Sequence, residues 1–185
     1  MNEDRSLTAA GANLIKHFEG CLEPHNGKFK SYLCPAKVRT IGWGSTGHPH
    51  GKHKIDANTV WTAEECHAAF MDDMGQFEQS VRSLVTVPLE PWQFDALTSF
   101  AYNCGSGALK GSTLLKCVNR GDHAAAAKEF HKWNKANGKA LAGLTRRRAS
   151  ESLLYQNIPD LNYDGKADPK PPAEPMPQAV DEPID

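Results

Sequence analysis

The sequence predicts an α+β fold that is predominantly helical, in which a long helix joins a small antiparallel β lobe to a larger helical lobe. Apolar residues recur at helical spacing near the N-terminus and again from about residue 62 to residue 156. Residues 21–61 break that spacing with glycines, prolines and short β-branched stretches, which is typical of a small, irregular sheet. Two such lobes predict a cleft between them that suits a long ligand.

The predicted helices carry recognisable start and stop signals. Ser6 or Thr8 can cap the first helix, and Gly20 can end it, so that Glu19 lies at its C-terminal end. The long helix follows Thr62, which has a glutamate three residues later in capping-box spacing. The later helices are predicted to open at Glu90 and Pro91, at Ser112, at Asp122 and within LTRRRASESLLYQ.

The 185-residue chain is predicted to contain one domain, residues 1–158, which is long enough to form a hydrophobic core, and an acidic tail, residues 159–185. The tail contains seven of the twelve prolines and seven acidic residues against two lysines, with few large apolar side chains. Such a segment cannot offset its ordering entropy by burial, so we predict disorder. Its DGKAD sequence resembles a calcium loop, but the ligand spacing and the terminal glutamate are wrong, which favours a plain linker.

Composition excludes several classes of protein. No apolar run approaches the roughly 20 residues needed to span a bilayer, which predicts no stable membrane insertion, and the N-terminus lacks the pattern of a secretory signal. Five scattered cysteines without a CxxC pair predict neither a disulfide framework nor a zinc site. The segment GHPHGKH, with His48, His50 and His53, is interpreted as a polar loop rather than a metal site. We therefore expect no metal and no cofactor.

Charge is distributed unevenly along the chain. Of 21 basic and 22 acidic residues, 19 and 15 respectively precede residue 159, so the body carries about +4 and the tail −5. A mildly basic body suits an anionic polymer, but the charge density is too low for dedicated nucleic-acid binding. We expect a monomer that does not bind nucleic acid.

Three side chains are candidates for chemistry. Glu19 faces the negative end of the helix dipole, which favours the protonated form that a general acid needs. Cys34 and Thr40 stand six residues apart, so both can face one side of a strand if no bulge intervenes, although Pro35 also allows a turn. A hydroxyl can orient a water, and a thiol or thiolate can accept its proton.

Four sequence pieces occur here in a characteristic order: HFEG, SYLCPAKVRTIGWGST, QFDALTSFAYNCGSGALKGSTLLKCVN and GLTRRRASESLLY. Together they resemble phage-type lysozymes, the endolysin muramidases, over about residues 8–156. The resemblance implies a lysozyme-like fold in which Glu19 is the general acid. It also implies that Cys34 replaces the second carboxylate, six residues before Thr40. Since 14 residues separate Glu19 from Cys34, the family pattern implies an insertion near residues 23–29, and Glu23 is the alternative acid.

The resemblance also implies how the substrate is held. Tyr102, Asn103 and Ser112 match the cleft wall that hydrogen-bonds the sugar chain, and Trp43 can either stack on a sugar ring or belong to the core. Arg146 or Arg147 is implied to reach the cleft and pair with Glu19, which opposes the effect of the helix dipole by favouring the ionised carboxylate.

The implied function is hydrolysis of the β-1,4 bond between N-acetylmuramic acid and N-acetylglucosamine in peptidoglycan glycan strands, with inversion at the anomeric carbon. A non-catalytic peptidoglycan-binding relative and a lytic transglycosylase are the alternatives. By family analogy, the protein is expected to stay in the host cytoplasm until a holin opens the membrane, and then to act in the periplasm on the cell wall.

Overall fold

The structure is a computed structural model that describes residues 2–21, 24, 26–34, 36–47 and 51–168. Helices predominate, as the sequence predicts, and short antiparallel strands form the rest of the regular structure. In chain order, the described helices are α1 (Ala9–Glu19), α2 (Ala63–Leu84), α3 (Pro91–Cys104), α4 (Ser106–Gly111), α5 (Thr113–Asn119), α6 (His123–Glu129) and α7 (Ala142–Tyr155). The described strands are β1 (Lys28–Lys30), β2 (Tyr32–Leu33), β3 (Arg39–Ile41), β4 (Ser45–Thr46), β5 (Val60–Thr62), β6 (Lys135–Ala136) and β7 (Lys139–Ala140).

The N-terminal helix is tied to the helical lobe at its first turn. Thr8 caps α1 by accepting from the amide of Ala10, and the carboxylate of Asp95 in α3 accepts both the amide and the hydroxyl of Thr8. Gly20 ends the helix with φ 68°, a conformation that glycine adopts without strain. The predicted bounds of this helix are therefore confirmed.

The predicted β lobe consists of two small antiparallel sheets. In one, β1 pairs with β5 and sets Phe29 opposite Trp61; in the other, β2, β3 and β4 lie side by side, with Tyr32 opposite Thr40. Cross-strand partners in an antiparallel pair put their side chains on the same face of the sheet. This register therefore brings the Thr40 side chain to the face that carries Tyr32.

Helix α2 starts where β5 ends and joins the two lobes. Thr62 and Glu65 form the predicted capping box, since the Thr62 hydroxyl accepts the Glu65 amide and the Glu65 carboxylate accepts the Thr62 amide. Phe70 and Met74 are buried with Ile15 of α1 in a cluster between the lobes, and α2 also packs on α3. The linking role that the sequence assigns to this helix is confirmed.

The helical lobe is organised around α3, which packs on α1, α2 and α7. Residues Gln93 to Ala101 of α3 are all buried, so the helix is the centre of the lobe. Phe100 meets Phe130 and Trp133 edge to face, with ring centroids 5.8 and 5.2 Å apart. No helix within the described part of the chain combines the length and apolarity needed to cross a bilayer.

Two elements of the helical lobe were not predicted. Helix α4 fills the segment after Gly105, and the strands β6 and β7 form an exposed hairpin just before α7. The hairpin turn is Asn137-Gly138, with φ 50° and 76°, the left-handed pair that two-residue turns prefer. This Asn-Gly signal is visible in the sequence.

The segment predicted to be a disordered tail is folded where the structure describes it. Asp160 is buried and accepts the Ser150 hydroxyl of α7 together with the amides of Asp164 and Gly165. The ring of Tyr163 packs on His17 and Phe18 of α1. The prediction is thus wrong for residues 159–168, because one buried acid organises the backbone without an apolar core; residues 169–185 lie outside the described residues.

Candidate active site

Glu19 is the last residue of α1, and its side chain is 24% exposed at the floor of a cleft of about 420 Å³. Asn103 of α3 lines the same cleft, as does Arg146 of α7. The cleft thus holds one partly exposed carboxyl group among residues of α1, α3 and the start of α7, all in the helical lobe. The remaining lining residues are His17, Phe18, Leu141, Gly143, Leu144 and Arg147.

Arg147, rather than Arg146, is the arginine that pairs with Glu19. Its Nη1 lies 2.5 Å from Glu19 Oε1, and the Arg147 side chain is only 3% exposed. The guanidinium also lies 5.7 Å from the centroid of the Phe18 ring and 6.0 Å from that of Tyr102. Arg146 is exposed on the cleft rim, so the alternative left open by the sequence is decided for Arg147.

A buried ionic network lies behind this pair. Glu151, one turn beyond Arg147 on α7, accepts Arg147 Nε at 3.3 Å, Arg148 Nη2 at 2.6 Å and the Ser99 hydroxyl at 2.7 Å, all on Oε1. Arg148 Nη1 donates to Cys104 Sγ at 2.8 Å. Glu151 and Arg148 are both fully buried. The Glu19 carboxyl is thus one end of a charged chain that continues into the helical lobe.

Cys34 and Thr40 are brought together by a tight turn rather than by one continuous strand. The Cys34 amide donates to the Val38 carbonyl at 3.0 Å, and the Lys37 amide donates back to the Cys34 carbonyl at 2.7 Å. The Thr40 hydroxyl lies 3.1 Å from the Val38 carbonyl and also within hydrogen-bonding reach of the Cys34 sulfur. The backbone bonds between Cys34 and residues 37–38 are therefore what bring the sulfur close to the Thr40 hydroxyl.

The electrostatics of the turn favour the thiolate. The pKa of the Cys34 thiol is lowered chiefly by a hydrogen bond from the Val38 amide; partial burial opposes this, and the Ala36 amide and the Thr40 hydroxyl add to the lowering. The Cys34 side chain is half-buried, whereas Thr40 is 4% exposed. The sulfur thus faces solvent and the hydroxyl supports it from below.

The phenol of Tyr32 lies close enough to both Cys34 and Glu19 to feel their charges. It stands opposite Thr40 in the sheet, and its pKa is raised first by burial and then by the negative charges of Cys21, Cys34 and Glu19. Cys34 and Glu19 therefore act on one phenol from the two lobes. Tyr32 was not predicted from the sequence, although its register opposite Thr40 follows from a two-strand hairpin around residues 34–38.

Two predicted substrate-binding residues lie elsewhere. Ser112 is 2% exposed and caps α5: its hydroxyl accepts the Leu115 amide and donates to the Leu109 carbonyl, so its hydrogen-bonding capacity is used within the fold. The structure thus shows the capping role of Ser112, and its role in binding sugar stays a prediction. The Trp43 ring is covered by Lys16, whose Nζ lies 4.1 Å from the ring centroid, and packs on Phe70, which favours the core alternative.

Tyr102 lies at the junction of the lobes. Its hydroxyl donates to the Trp43 carbonyl at 3.3 Å, and its ring meets Phe77 edge to face. Burial, with the nearby Glu19 carboxylate, raises the Tyr102 pKa so far that the phenol stays protonated near neutral pH. It lines a second cavity of about 370 Å³ together with Asp73 and Gln76. Tyr102 and Asn103 therefore remain candidates for contacting the substrate.

The predicted polar loop at GHPHGKH is described only in part, because His48 and His50 lie outside the described residues. His53 Nε2 lies 2.9 Å from Asp73 Oδ1, and Asp72, whose carboxylate is also close, is paired with Lys52 at 2.8 Å. These contacts already engage both carboxylates, Asp73 with His53 and Asp72 with Lys52. Glu23, the alternative acid, likewise lies outside the described residues.

A partly exposed carboxyl group at the end of the first helix, held by a buried arginine in a chain with a small β lobe and a helical lobe, defines a lysozyme-like site. The model of the phage lysozyme family matches residues 16–151. The endolysin of Salmonella phage P22 is 34% identical over 148 residues, which are 80% of this chain and 97% of that protein. The chain therefore belongs to the phage lysozyme family, as the resemblance implied.

The solved structures agree with this assignment. A variant of P22 lysozyme superposes with a TM-score of 0.71 at 32% identity, covering 82% of this chain and 98% of that one. The expected lysozyme-like fold is thus confirmed. The endolysin of Bacillus phage B103 is 41% identical over 152 residues, which are 81% of this chain but 54% of that protein. The chain therefore spans only about half the length of this relative.

Proposed function

We propose that the protein is an endolysin that hydrolyses the β-1,4 bond between N-acetylmuramic acid and N-acetylglucosamine in peptidoglycan. The observation that carries the proposal is the Glu19 carboxyl, which is 24% exposed in the cleft and held by the buried Arg147. This arrangement fixes the direction of the carboxyl group and leaves room for a glycan strand beside it.

In the proposed mechanism, Glu19 transfers its proton to the leaving glycosidic oxygen as the bond to the anomeric carbon breaks. Cys34 and Thr40 orient a water on the opposite face of the sugar, and the Cys34 thiolate takes the proton that this water loses. The oxygen of this water then bonds to the anomeric carbon, with inversion of its configuration. The lowered Cys34 pKa supports this assignment, because a proton acceptor must be deprotonated.

The cellular setting follows by family analogy. We propose that the protein is held in the host cytoplasm, passes a holin-made opening in the membrane, and reaches the periplasm and cell wall as a monomer. Asn103, Tyr102 and Arg146 are the proposed contacts with the sugar chain, since they line the two cavities along the cleft.

The test of this proposal is the mass of the soluble products from purified peptidoglycan digested by the wild type and by Glu19→Gln. Hydrolysis gives muropeptides with a free reducing end, whereas a transglycosylase gives anhydro products lighter by one water. Glu19→Gln is expected to lower the rate at least about a hundredfold, because Gln cannot donate the proton. A wild-type rate in Glu19→Gln would refute the acid assignment.

Cys34→Asp and Cys34→Ser form the second arm of the test. Aspartate restores the carboxylate that the family pattern implies and is expected to retain hydrolysis, whereas serine, which stays neutral, is expected to lose most of it. A protein that only binds peptidoglycan would release no products and would bind equally well in all three forms.

A further inference from the structure

Glu151 is the most deeply buried carboxyl group near the site, and the mechanism above gives it no role. Its side chain is fully buried, and Oε1 alone accepts three hydrogen bonds, from Ser99, Arg147 and Arg148. Among the described residues, the other oxygen, Oε2, has no hydrogen-bond partner. Burying a carboxylate is costly unless its charge is compensated, so this position requires the arginines beside it.

The bond from Arg147 Nε to Glu151 fixes which part of the guanidinium faces the cleft. With Nε directed at Glu151, Nη1 is directed at Glu19, while the buried Nη2 meets no hydrogen-bond partner in the described part of the chain. Because a guanidinium is planar, two contacts at different nitrogens determine its orientation. Glu151 therefore sets the direction from which Arg147 reaches Glu19.

Glu151 sets the net charge of the network. Against the two positive charges of Arg147 and Arg148, the ionised Glu151 leaves a net charge of zero when Glu19 is ionised and of +1 when Glu19 carries the proton it donates. Without Glu151, the buried Arg148 would lose the carboxylate it is paired with, next to the Arg147–Glu19 pair. Nearby positive charge favours the ionised carboxylate, and an ionised carboxylate cannot act as a general acid.

We propose that Glu151 is a positioning residue for the reaction: its buried carboxylate orients Arg147 toward Glu19 and offsets the charge of Arg148, so that Glu19 can hold the proton it donates. The inference rests on the proposed function in that it assumes Glu19 is the acid. Other groups also face this network. Glu19 is approached by Tyr102 of α3 and Tyr32 of β2, and Glu151 by Cys104 of α3. His17 and Arg146 line the same cleft as Glu19.

The test compares three variants chosen by charge. Counted with Glu19 ionised, the network has one excess positive charge in Glu151→Gln and one excess negative charge in Arg148→Met. The double variant restores a net charge of zero. The titration of the Glu19 carboxyl, followed by carbon NMR, is expected to move down by about one to two pH units in Glu151→Gln and up by a similar amount in Arg148→Met. In the double variant it is expected to return close to the wild-type midpoint.

The pH dependence of hydrolysis should follow the same pattern. The alkaline limb of the profile, where the acid loses its proton, should shift with the titration, so that Glu151→Gln loses about tenfold in rate per unit shifted. Ser99→Ala is the matched control, because it removes a hydrogen bond to the same Glu151 oxygen without changing charge, and it should leave the limb in place.

The outcomes separate this inference from the proposed function. Equal Glu19 titrations in folded wild type and Glu151→Gln, or a double variant no closer to wild type than the single one, would show that Glu151 is only structural. Should Glu151→Gln not fold, the upward shift in Arg148→Met decides, and its absence refutes the proposal. Because NMR needs no turnover, these results stand even if no product is released.

Discussion

The individual side chains of the site differ in how far the sequence could identify them. Glu19 and Thr40 occur in short motifs, HFEG and TIGWG, and the structure puts one in the cleft and the other beneath the Cys34 sulfur. Ser112 could not be assigned from sequence to one role, because a helix cap and a sugar contact require the same kind of side chain, and the structure shows the cap. Glu151 gave no signal, since a charged residue in an Arg-rich helix is normally taken to be solvated.

The Cys34 thiol provides a prediction about pH. Its pKa is lowered chiefly by the Val38 amide, whereas burial raises the pKa of Cys104. The thiolate, which is the reactive form, persists above the pKa and is lost as the pH falls through it. We expect alkylation of Cys34 by iodoacetamide to reach half its maximal rate at a lower pH than alkylation of Cys104, measured peptide by peptide with mass spectrometry.

Thr40→Val is the control for that experiment. It removes the hydroxyl that helps to lower the Cys34 pKa while keeping a β-branched side chain of similar shape. The alkylation midpoint of Cys34 should rise in this variant, and hydrolysis below that midpoint should weaken with it. A Cys34 midpoint at or above about 8.5, the value of an ordinary thiol, would contradict the assignment of an activated sulfur.

Helix α1 shows how an element positions the proposed general acid. Its C-terminal residue is Glu19, and its N-terminal turn is fixed by the Asp95 carboxylate, whose pKa is raised by burial and lowered in part by its bonds to Thr8. Gly11 lies against this contact: a Cβ there would come within 2.6 Å of Asp95 Cγ and 2.7 Å of Leu7 Cδ1. The close approach of α1 to α3 therefore depends on glycine.

Gly11→Ala is predicted to destabilise the protein by about 1–3 kcal/mol, because Asp95 cannot retreat without breaking its bonds to Thr8. Gly75→Ala in α2 is the matched control, since no atom lies within 4 Å of a Cβ at that position. Alanine's better helix propensity should stabilise that variant by about 0.5–1 kcal/mol. Urea unfolding measures both variants. Equal midpoints for Gly11→Ala and the wild type would show that the α1–α3 contact has room for a methyl group.

Secondary structure was predictable wherever a local signal was sufficient. The capping box at Thr62, the cap at Thr8 and the stop at Gly20 need only a few residues, and all three occur as expected. Helix α4 is too short for a periodic pattern to develop, and the β6–β7 hairpin carries polar residues on both strands. Pattern-based reasoning fails for such elements because they bury almost nothing of their own.

In the molecule as a whole, the folded segment 159–168 follows α7 and packs against both α7 and α1. It lies outside the family match to residues 16–151. A cavity of about 220 Å³ lies against it, lined mainly by residues between Asn157 and Tyr163 and closed by residues of α1 and α7. Composition could not predict this fold, because the segment is held by hydrogen bonds to Asp160 rather than by large apolar side chains.

A chain that ends at Ile158 is predicted to lose stability and activity together. It lacks the partner of Ser150 and the Tyr163 ring beside Phe18, which should cost about 2 kcal/mol and lower Tm by about 4–8 °C. A chain that ends at Asp168 retains these contacts and is the control, with a Tm expected to match that of the full chain. Thermal unfolding and product release measure both; equal Tm values for the two truncated chains would contradict the prediction.

The position of Asp168 determines where a further module could be attached to this chain. Its amide donates to the Pro159 carbonyl and its carboxylate accepts the Leu161 amide, so the described chain ends close to the point where it left α7. A reporter or wall-targeting module fused after this residue would therefore emerge on the flank of α1, the helix that carries Glu19. A tether there must be long enough to keep its cargo clear of incoming glycan.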